Sequence, residues 1–195
     1  MGFVTKKMAQ ALVLLATVGV LAGCSAIRPE HCPYADWNAT GELHASKGYQ
    51  SRLPSLFDTC LGVGVLPDAD AYVAGYQRGL REFCTIENGW VWGQTRTSNP
   101  STCPPALASG FDRSFSTSAR LSALAVEESN LRARRDELED LLLSGAPVDP
   151  KLLRELRDIR TQLDRVQSER QRTRNGFANW LGNMGLEAPS ELYSY

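Results

Sequence analysis

Apolar residues at heptad spacing dominate the second half of the chain and constrain its fold more than any other feature. They form two series, separated by the segment SGAPVDP, whose glycine and prolines break a helix. The pattern therefore predicts an antiparallel coiled-coil hairpin over residues 107–182, because a short connection favours antiparallel neighbours. The expected seam residues are Leu124, Leu131, Leu138, Leu142, Leu152, Leu156, Ile159, Leu163 and Val166.

Two charged residues, Glu128 and Arg135, interrupt the apolar heptad positions of the first arm. If the hairpin forms, each needs a partner of opposite charge on the second arm, and such pairs would fix the register more than add stability. The basic residues of the second arm are interleaved with acidic ones, which is typical of a solvated coiled-coil face; a grip on anionic headgroups is the alternative. The expected partners are Arg165 or Arg170 for Glu128, and Glu155 or Asp158 for Arg135.

The N-terminus has the layout of a secretory signal. Lys6 and Lys7 are followed by an apolar run from Ala11 to Gly23 that is too short to span a bilayer comfortably. The residues LAGC at positions 21–24 resemble the bacterial lipobox, in which the signal peptide is removed before a cysteine that carries a diacylglyceryl group. By this resemblance, residues 1–23 are a signal peptide and Cys24 is lipidated; an ordinary signal peptide or an uncleaved signal anchor is the alternative.

The cysteine count agrees with export. The chain has five cysteines, and a lipidated Cys24 leaves an even set: Cys32, Cys60, Cys84 and Cys103. Exported chains meet an oxidising environment, so we expect two disulfide bonds, with three connectivities open. The spacing contains no CxxC pair, which makes a metal site the weaker interpretation, and we expect no metal and no cofactor.

Between a short tether at residues 24–33 and the hairpin, residues 34–106 are rich in cysteine, glycine and aromatic residues. We expect a small helical core stapled by the disulfides. Its clearest helix begins near Asp68 and carries Gly75 and Gly79 on one face. Because glycine inside a helix costs about 1 kcal/mol against alanine, we expect both to allow close approach of another helix. A membrane-association face is the alternative, and the charged residues of this helix argue against it.

The segment from Glu87 to Pro105 is rich in turn formers. Asn88-Gly89 before Trp90, Val91 and Trp92 predicts a turn with a short strand or β-hairpin. The two tryptophans cover the disulfide core or, alternatively, bind a glycan or a peptide. The fold class expected from the sequence is thus mainly α with a short β-hairpin or loop, and residues 183–195 form a C-terminal tail.

Several function classes find no support in the sequence. The formal net charge is −1, and it becomes more negative once Lys6 and Lys7 leave with the signal, so we expect no binding to nucleic acid. GxSxG, HExxH, GxxxxGK and GxGxxG motifs are absent from the sequence, and only two histidines are available for acid–base chemistry. We therefore expect a protein that is not an enzyme.

The order of motifs resembles a family of bacterial lipoproteins known only as a domain of unknown function. The resemblance covers about residues 32–140 and rests on Cys32, Cys60, GVLPD, YVAGYQRGLREFC, NGWVWG and CPP, followed by a charged helical tail. It implies an envelope location and a core with paired cysteines, and it implies no activity.

Two functions from different classes follow as expectations. The first is a structural or protein-interaction module of the cell envelope. Acyl chains such as palmitate on Cys24 would anchor it in a membrane. Because Ser25 and not an aspartate follows the lipid cysteine, we expect the outer membrane, with the protein facing the periplasm. Its hairpin would meet an envelope protein partner. The second is a peptidoglycan- or glycan-binding module, with hydrolysis as a further option, that uses Trp90, Trp92 and nearby carboxylates.

Overall fold

The computed structural model describes residues 27–96, 98–144 and 149–193, and it is mainly helical. Short 3-10 helices lie at Pro29–Tyr34 and Ser190–Tyr193. Among the described residues, no helix combines the length and the apolar character needed to cross a bilayer. The α-helices are α1 (Trp37–Ser46), α2 (Leu53–Leu61), α3 (Ala69–Phe83), α4 (Ile86–Thr95), α5 (Pro105–Leu143) and α6 (Pro150–Asn183).

The expected β-hairpin at Asn88-Gly89 is wrong. These residues lie inside α4, and no strand occurs in the part of the chain that the structure describes. Thr85 starts the helix, because its side-chain oxygen accepts a hydrogen bond from the Asn88 backbone N–H at 3.1 Å. Gly89 faces the backbone of α5 at Phe111, so this glycine serves close helix packing and not a turn.

The described residues divide into two compact units. The first contains residues 27–35 and 55–67. In it, Cys32 of the N-terminal 3-10 helix is paired with Cys60 of α2 at a Cα–Cα distance of 5.6 Å. Both cysteines are buried, as is Leu56 one turn before Cys60. This disulfide ties the start of the described chain to α2.

The second unit contains residues 36–54 and 68–193 and holds the remaining helices. Its first two helices begin with matching caps: the side chain of Asp36 accepts from the Ala39 N–H, and that of Asp68 accepts from the Ala71 N–H, each at 2.9 Å. A side-chain acceptor at this position satisfies one of the free N–H groups of the first helical turn. The aspartates therefore set where α1 and α3 begin.

The two longest helices, α5 and α6, lie in the same unit and run antiparallel. Arg120 in the first half of α5 pairs with Glu169 in the second half of α6, whereas Arg134 in the second half of α5 pairs with Glu155 in the first half of α6. At 1.5 Å per residue, the 39 residues of α5 extend about 58 Å. The helix pair is thus the longest feature of the second unit.

Candidate functional site

Glycines bring α1 and α3 into backbone contact. A Cβ built on Gly75 would overlap the carbonyl group of Asn38, and one built on Gly79 would overlap the carbonyl oxygen of Glu42. Gly41 on α1 faces the backbone of α3 at Tyr72 in the same way. Any larger side chain at these positions would force the helices apart, since interiors are close-packed.

Polar groups close the edges of this glycine contact. The Arg78 guanidinium on α3 donates to Glu42 on α1 at 2.7 Å, and the Asn38 side-chain amide donates to the Ala71 carbonyl at 3.0 Å. The Tyr72 hydroxyl is buried 2.9 Å from His44 Nδ1. His44, one of the two histidines available for chemistry, therefore lies in a packed interior contact between α1 and α3.

A second glycine contact joins α4 and α5. A Cβ on Gly93 would overlap the backbone of Phe115, as one on Gly89 would overlap that of Phe111. On the α5 side, the Ser114 and Ser118 hydroxyls donate to carbonyl oxygens of α4, each at 2.7 Å. The small serines thus both permit the close approach and hydrogen bond across it.

The two tryptophans of α4 pack inward. Trp90 is 5 % exposed and its ring stacks on Phe177 with centroids 5.2 Å apart. The Trp92 ring packs perpendicular to the Phe83 ring, with centroids 5.2 Å apart, in a cluster that includes Cys84 and Cys103. Sugar binding by aromatic stacking needs an open ring face, and these contacts occupy ring faces and edges in the core.

The second disulfide adjoins this aromatic cluster. Cys84, the residue that caps α3, is paired with Cys103 just before α5, at a Cα–Cα distance of 5.7 Å. The structure thus gives one connectivity of the three that the sequence left open: first with second, and third with fourth. No group of three or more His, Cys, Asp or Glu residues suited to a metal ion occurs within the described ranges.

The expected seam residues lie along the contact between α5 and α6. Five of them are buried toward the middle and far end: Leu138, Leu156, Ile159, Leu163 and Val166. Leu124 of α5 is also buried. The partly buried Leu131, Leu142 and Leu152 pack against the cluster of Leu138 and Leu156. Apolar side chains therefore line the contact between α5 and α6.

Glu128 is the one acidic side chain buried in this contact, among the described residues, at 3 % exposure. Its carboxylate accepts hydrogen bonds from Arg170 and Gln167 on α6 and from Arg132 one turn along α5. Burial alone would raise the pKa of Glu128, but these hydrogen bonds and the charges of Arg170 and Arg132 hold the pKa below its ordinary value. Glu128 is therefore held in its ionised form.

Arg135, the other charged seam residue, pairs differently from the expectation. Its guanidinium donates to the adjacent Asp136, and it is Arg134 that reaches Glu155 on α6 at 2.8 Å. Arg174, one turn beyond Arg170, has Nε and Nη2 buried with no hydrogen-bond partner among the described residues. Burial, and next the charge of Arg170, lower the pKa of Arg174.

A largely apolar groove of about 860 Å³ runs along α4. Trp90 and Val91 of α4, Phe177 and Leu181 of α6, and residues 186–189 contribute most of its lining. Its volume lies in the range of small-molecule and peptide-side-chain pockets. The sequence does not predict this groove, because residues 186–189, which line it, belong to the segment that the sequence assigns to a C-terminal tail.

A second exposed apolar surface lies at the far end of the α5–α6 pair. Leu141 and Leu143 end α5, and Leu153 lies in the first turn of α6; all three are exposed, Leu143 at 84 %. Leu153 also lines a cleft of about 320 Å³ with Arg157 and Arg160. We call Leu141, Leu143 and Leu153 the leucine end.

The lipidation site expected at Cys24 lies outside the described residues, as does the whole expected signal peptide. No curated protein and no solved structure was found to match the chain. A family model matches residues 36–120, which run from the cap of α1 to Arg120 in α5 and so include both glycine contacts. The matching model is that of the family described as protein of unknown function (DUF2799).

Proposed function

We propose that this protein is a lipid-anchored interaction module of the bacterial cell envelope, in which α5 and α6 form an antiparallel coiled-coil hairpin that binds a partner protein. The observation that carries the proposal is the leucine end. Exposed leucines clustered at one end of a long helix pair are typical of an interaction surface, because monomeric soluble proteins rarely expose clustered apolar side chains to water.

The rest of the hairpin supports a spacer role for its body and a binding role for its end. Its seam is filled by leucines and by Glu128, and interhelical ion pairs such as Arg165–Glu127 and Arg160–Glu139 lie along its sides. Exposed ion pairs add little stability but keep a helix surface soluble. The body of the pair thus acts as a spacer, and its apolar end makes the contact.

In this proposal, the acyl chains on Cys24 anchor the protein in the outer membrane, and the folded part faces the periplasm. The LAGC sequence at positions 21–24 and the two disulfides support an exported lipoprotein. The intact mass of the mature protein tests this step. We expect a chain that starts at Cys24 and carries acyl chains, whereas Cys24→Ser should leave the protein unacylated and release it from the membrane fraction.

Crosslinking in intact cells tests the interaction itself. Leu143→Glu with Leu153→Glu should abolish the crosslinked partner, because charges at the leucine end oppose burial of that surface. Val126→Glu is the matched control, since Val126 is 61 % exposed on the body of α5. A partner that crosslinks equally well to the double variant would overturn the proposal, provided that both variants keep the helical circular dichroism of the unaltered protein.

A further inference from the structure

We infer that the groove along α4 binds a short apolar peptide segment bearing lysine or arginine, supplied by another protein. The residues that build the groove differ from the leucine end, so the two surfaces can be tested separately. The inference rests on three features of the groove: its exposed apolar lining, its length, and its acidic rim.

The apolar lining is open to solvent. Val91 is 57 % exposed and Leu186 is 46 % exposed, although both line the groove beside the buried ring of Trp90. An apolar side chain laid against them would remove this area from water, at about 25 cal/mol per Å² of apolar surface buried. The site therefore favours an apolar occupant.

The length of the groove suits a peptide. Its α4 wall runs from Ile86 to Gln94, about 12 Å at 1.5 Å per residue. This length matches about two turns of a helix, or about four residues of extended chain. At the end of this wall, the Gln94 side chain offers a donor and an acceptor for peptide backbone groups.

The charge of the rim selects a basic occupant. Glu87 on α4 and Glu187 in the C-terminal segment are exposed, and they are the only charged side chains among the described residues that line the groove. Two carboxylates beside an apolar surface attract a cation and repel an acidic peptide. The pairing of an apolar lining with an acidic rim thus points to leucine-like side chains flanked by lysine or arginine.

Two synthetic peptides test the charge selection directly. Both have about eight residues with the same leucines; one carries lysines and the other carries glutamates at the remaining positions. In calorimetric titrations of the full chain, we expect the leucine–lysine peptide to bind at least about tenfold more tightly. The double variant Glu87→Lys/Glu187→Lys should reverse this preference, whereas Asp140→Lys/Asp158→Lys, with the same change in net charge outside the groove, should keep it.

Two results would overturn the inference. The first is that neither peptide binds. The second is an equal loss of preference in both double variants, which would indicate a general effect of net charge. Val91→Asp adds a test of the apolar lining: it should weaken binding of the leucine–lysine peptide by about tenfold or more without altering the circular dichroism. Unchanged binding by Val91→Asp would show that the peptide lies elsewhere.

A photo-crosslinker in living cells tests the source of the occupant. Benzoylphenylalanine at position 91 should give an adduct whose crosslinked peptide contains apolar and basic residues, and Glu87→Lys/Glu187→Lys should remove that adduct. The same group at position 126, the similarly exposed valine of α5, should not form it. A lipid or glycan adduct at position 91, or the same peptide adduct at both positions, would overturn the inference.

Discussion

The buried carboxylate of Glu128 on α5 accepts a hydrogen bond from the guanidinium of Arg170 on α6, in the middle of an otherwise apolar contact. Arg170 is itself largely buried, with 13 % of its side chain exposed. A buried ion pair contributes little net stability, but each member becomes costly when it is left alone. The pair therefore fixes the register in which α5 and α6 meet.

Removal of one member of this pair should destabilise the protein strongly. We expect Glu128→Leu to lower the free energy of unfolding by about 3 kcal/mol, because Arg170 is left buried without its counter-charge. The double variant Glu128→Leu/Arg170→Leu should recover most of the loss. Urea unfolding of the three proteins measures the effect, and additive losses in the double variant would contradict a coupled pair.

Glu128 should also make the stability depend on pH in the acid range. Its pKa is lowered in the folded state, so the unfolded chain takes up the proton more readily. Its contribution is then fully present above the ordinary glutamate pKa of 4.5 and is lost as the pH falls through the lower folded pKa. Urea unfolding from about pH 6 to about pH 3 should show a smaller acid loss in Glu128→Gln; equal losses would contradict the role of this carboxylate.

The glycine contact between α1 and α3 should tolerate no added carbon. Gly75→Ala places a methyl group against the Asn38 carbonyl, and we expect a loss of about 3 kcal/mol in the free energy of unfolding. Gly176→Ala is the control, because Gly176 lies inside α6 with nothing within 4 Å of its would-be Cβ. The control should gain about 0.5–1 kcal/mol from helix propensity, and a gain at Gly75 as well would show that α1 and α3 are not in backbone contact.

Gly75 and Gly89 both pack against the backbone of another helix, but the sequence predicts this role only for Gly75. Gly75 recurs with Gly79 in a long amphipathic pattern, so its packing role follows from helical periodicity. Gly89 and Gly93 have the same four-residue spacing, but Asn88-Gly89 also matches a hairpin turn, and the aromatic residues that follow favour a strand. Local signals cannot decide between these, because the deciding contact is with Phe111 and Phe115, about twenty residues later.

The two charged residues at heptad positions of α5, Glu128 and Arg135, show how far the sequence predicts single side-chain contacts. Heptad spacing predicts Arg165 or Arg170 as the partner of Glu128, and Arg170 is the one that donates to it. The partner of Arg135 is not predictable, because a partly exposed arginine reaches several carboxylates at similar cost, and here it donates to its neighbour Asp136. The groove cannot be predicted from the sequence for a related reason. Residues 186–189 line it only because the chain folds back near Gly185.

The disulfide pairing gives a prediction for peptide mapping without reductant. Fragments that contain Cys32 should be joined to those with Cys60, and fragments with Cys84 to those with Cys103. The Cys84–Cys103 bond joins residues that are 19 positions apart in the sequence. Its loss in Cys84→Ala/Cys103→Ala should lower the free energy of unfolding by about 3 kcal/mol, because the unfolded chain gains conformational entropy. Joined fragments from Cys60 and Cys84 would contradict the pairing.

Arg174 gives the last prediction, a substitution that should stabilise the protein. Its Nε and Nη2 atoms are buried without a hydrogen-bond partner among the described residues, and the charge of Arg170 one turn earlier opposes its own. Methionine keeps the length of the side chain but removes the buried charge, so Arg174→Met should raise the free energy of unfolding by about 1 kcal/mol. Arg172→Met, on the exposed side of α6, should change it by less than about 0.5 kcal/mol. A lower urea midpoint for Arg174→Met than for Arg172→Met would mean that the Arg174 charge supports the fold, because methionine at position 174 loses only the guanidinium and its field.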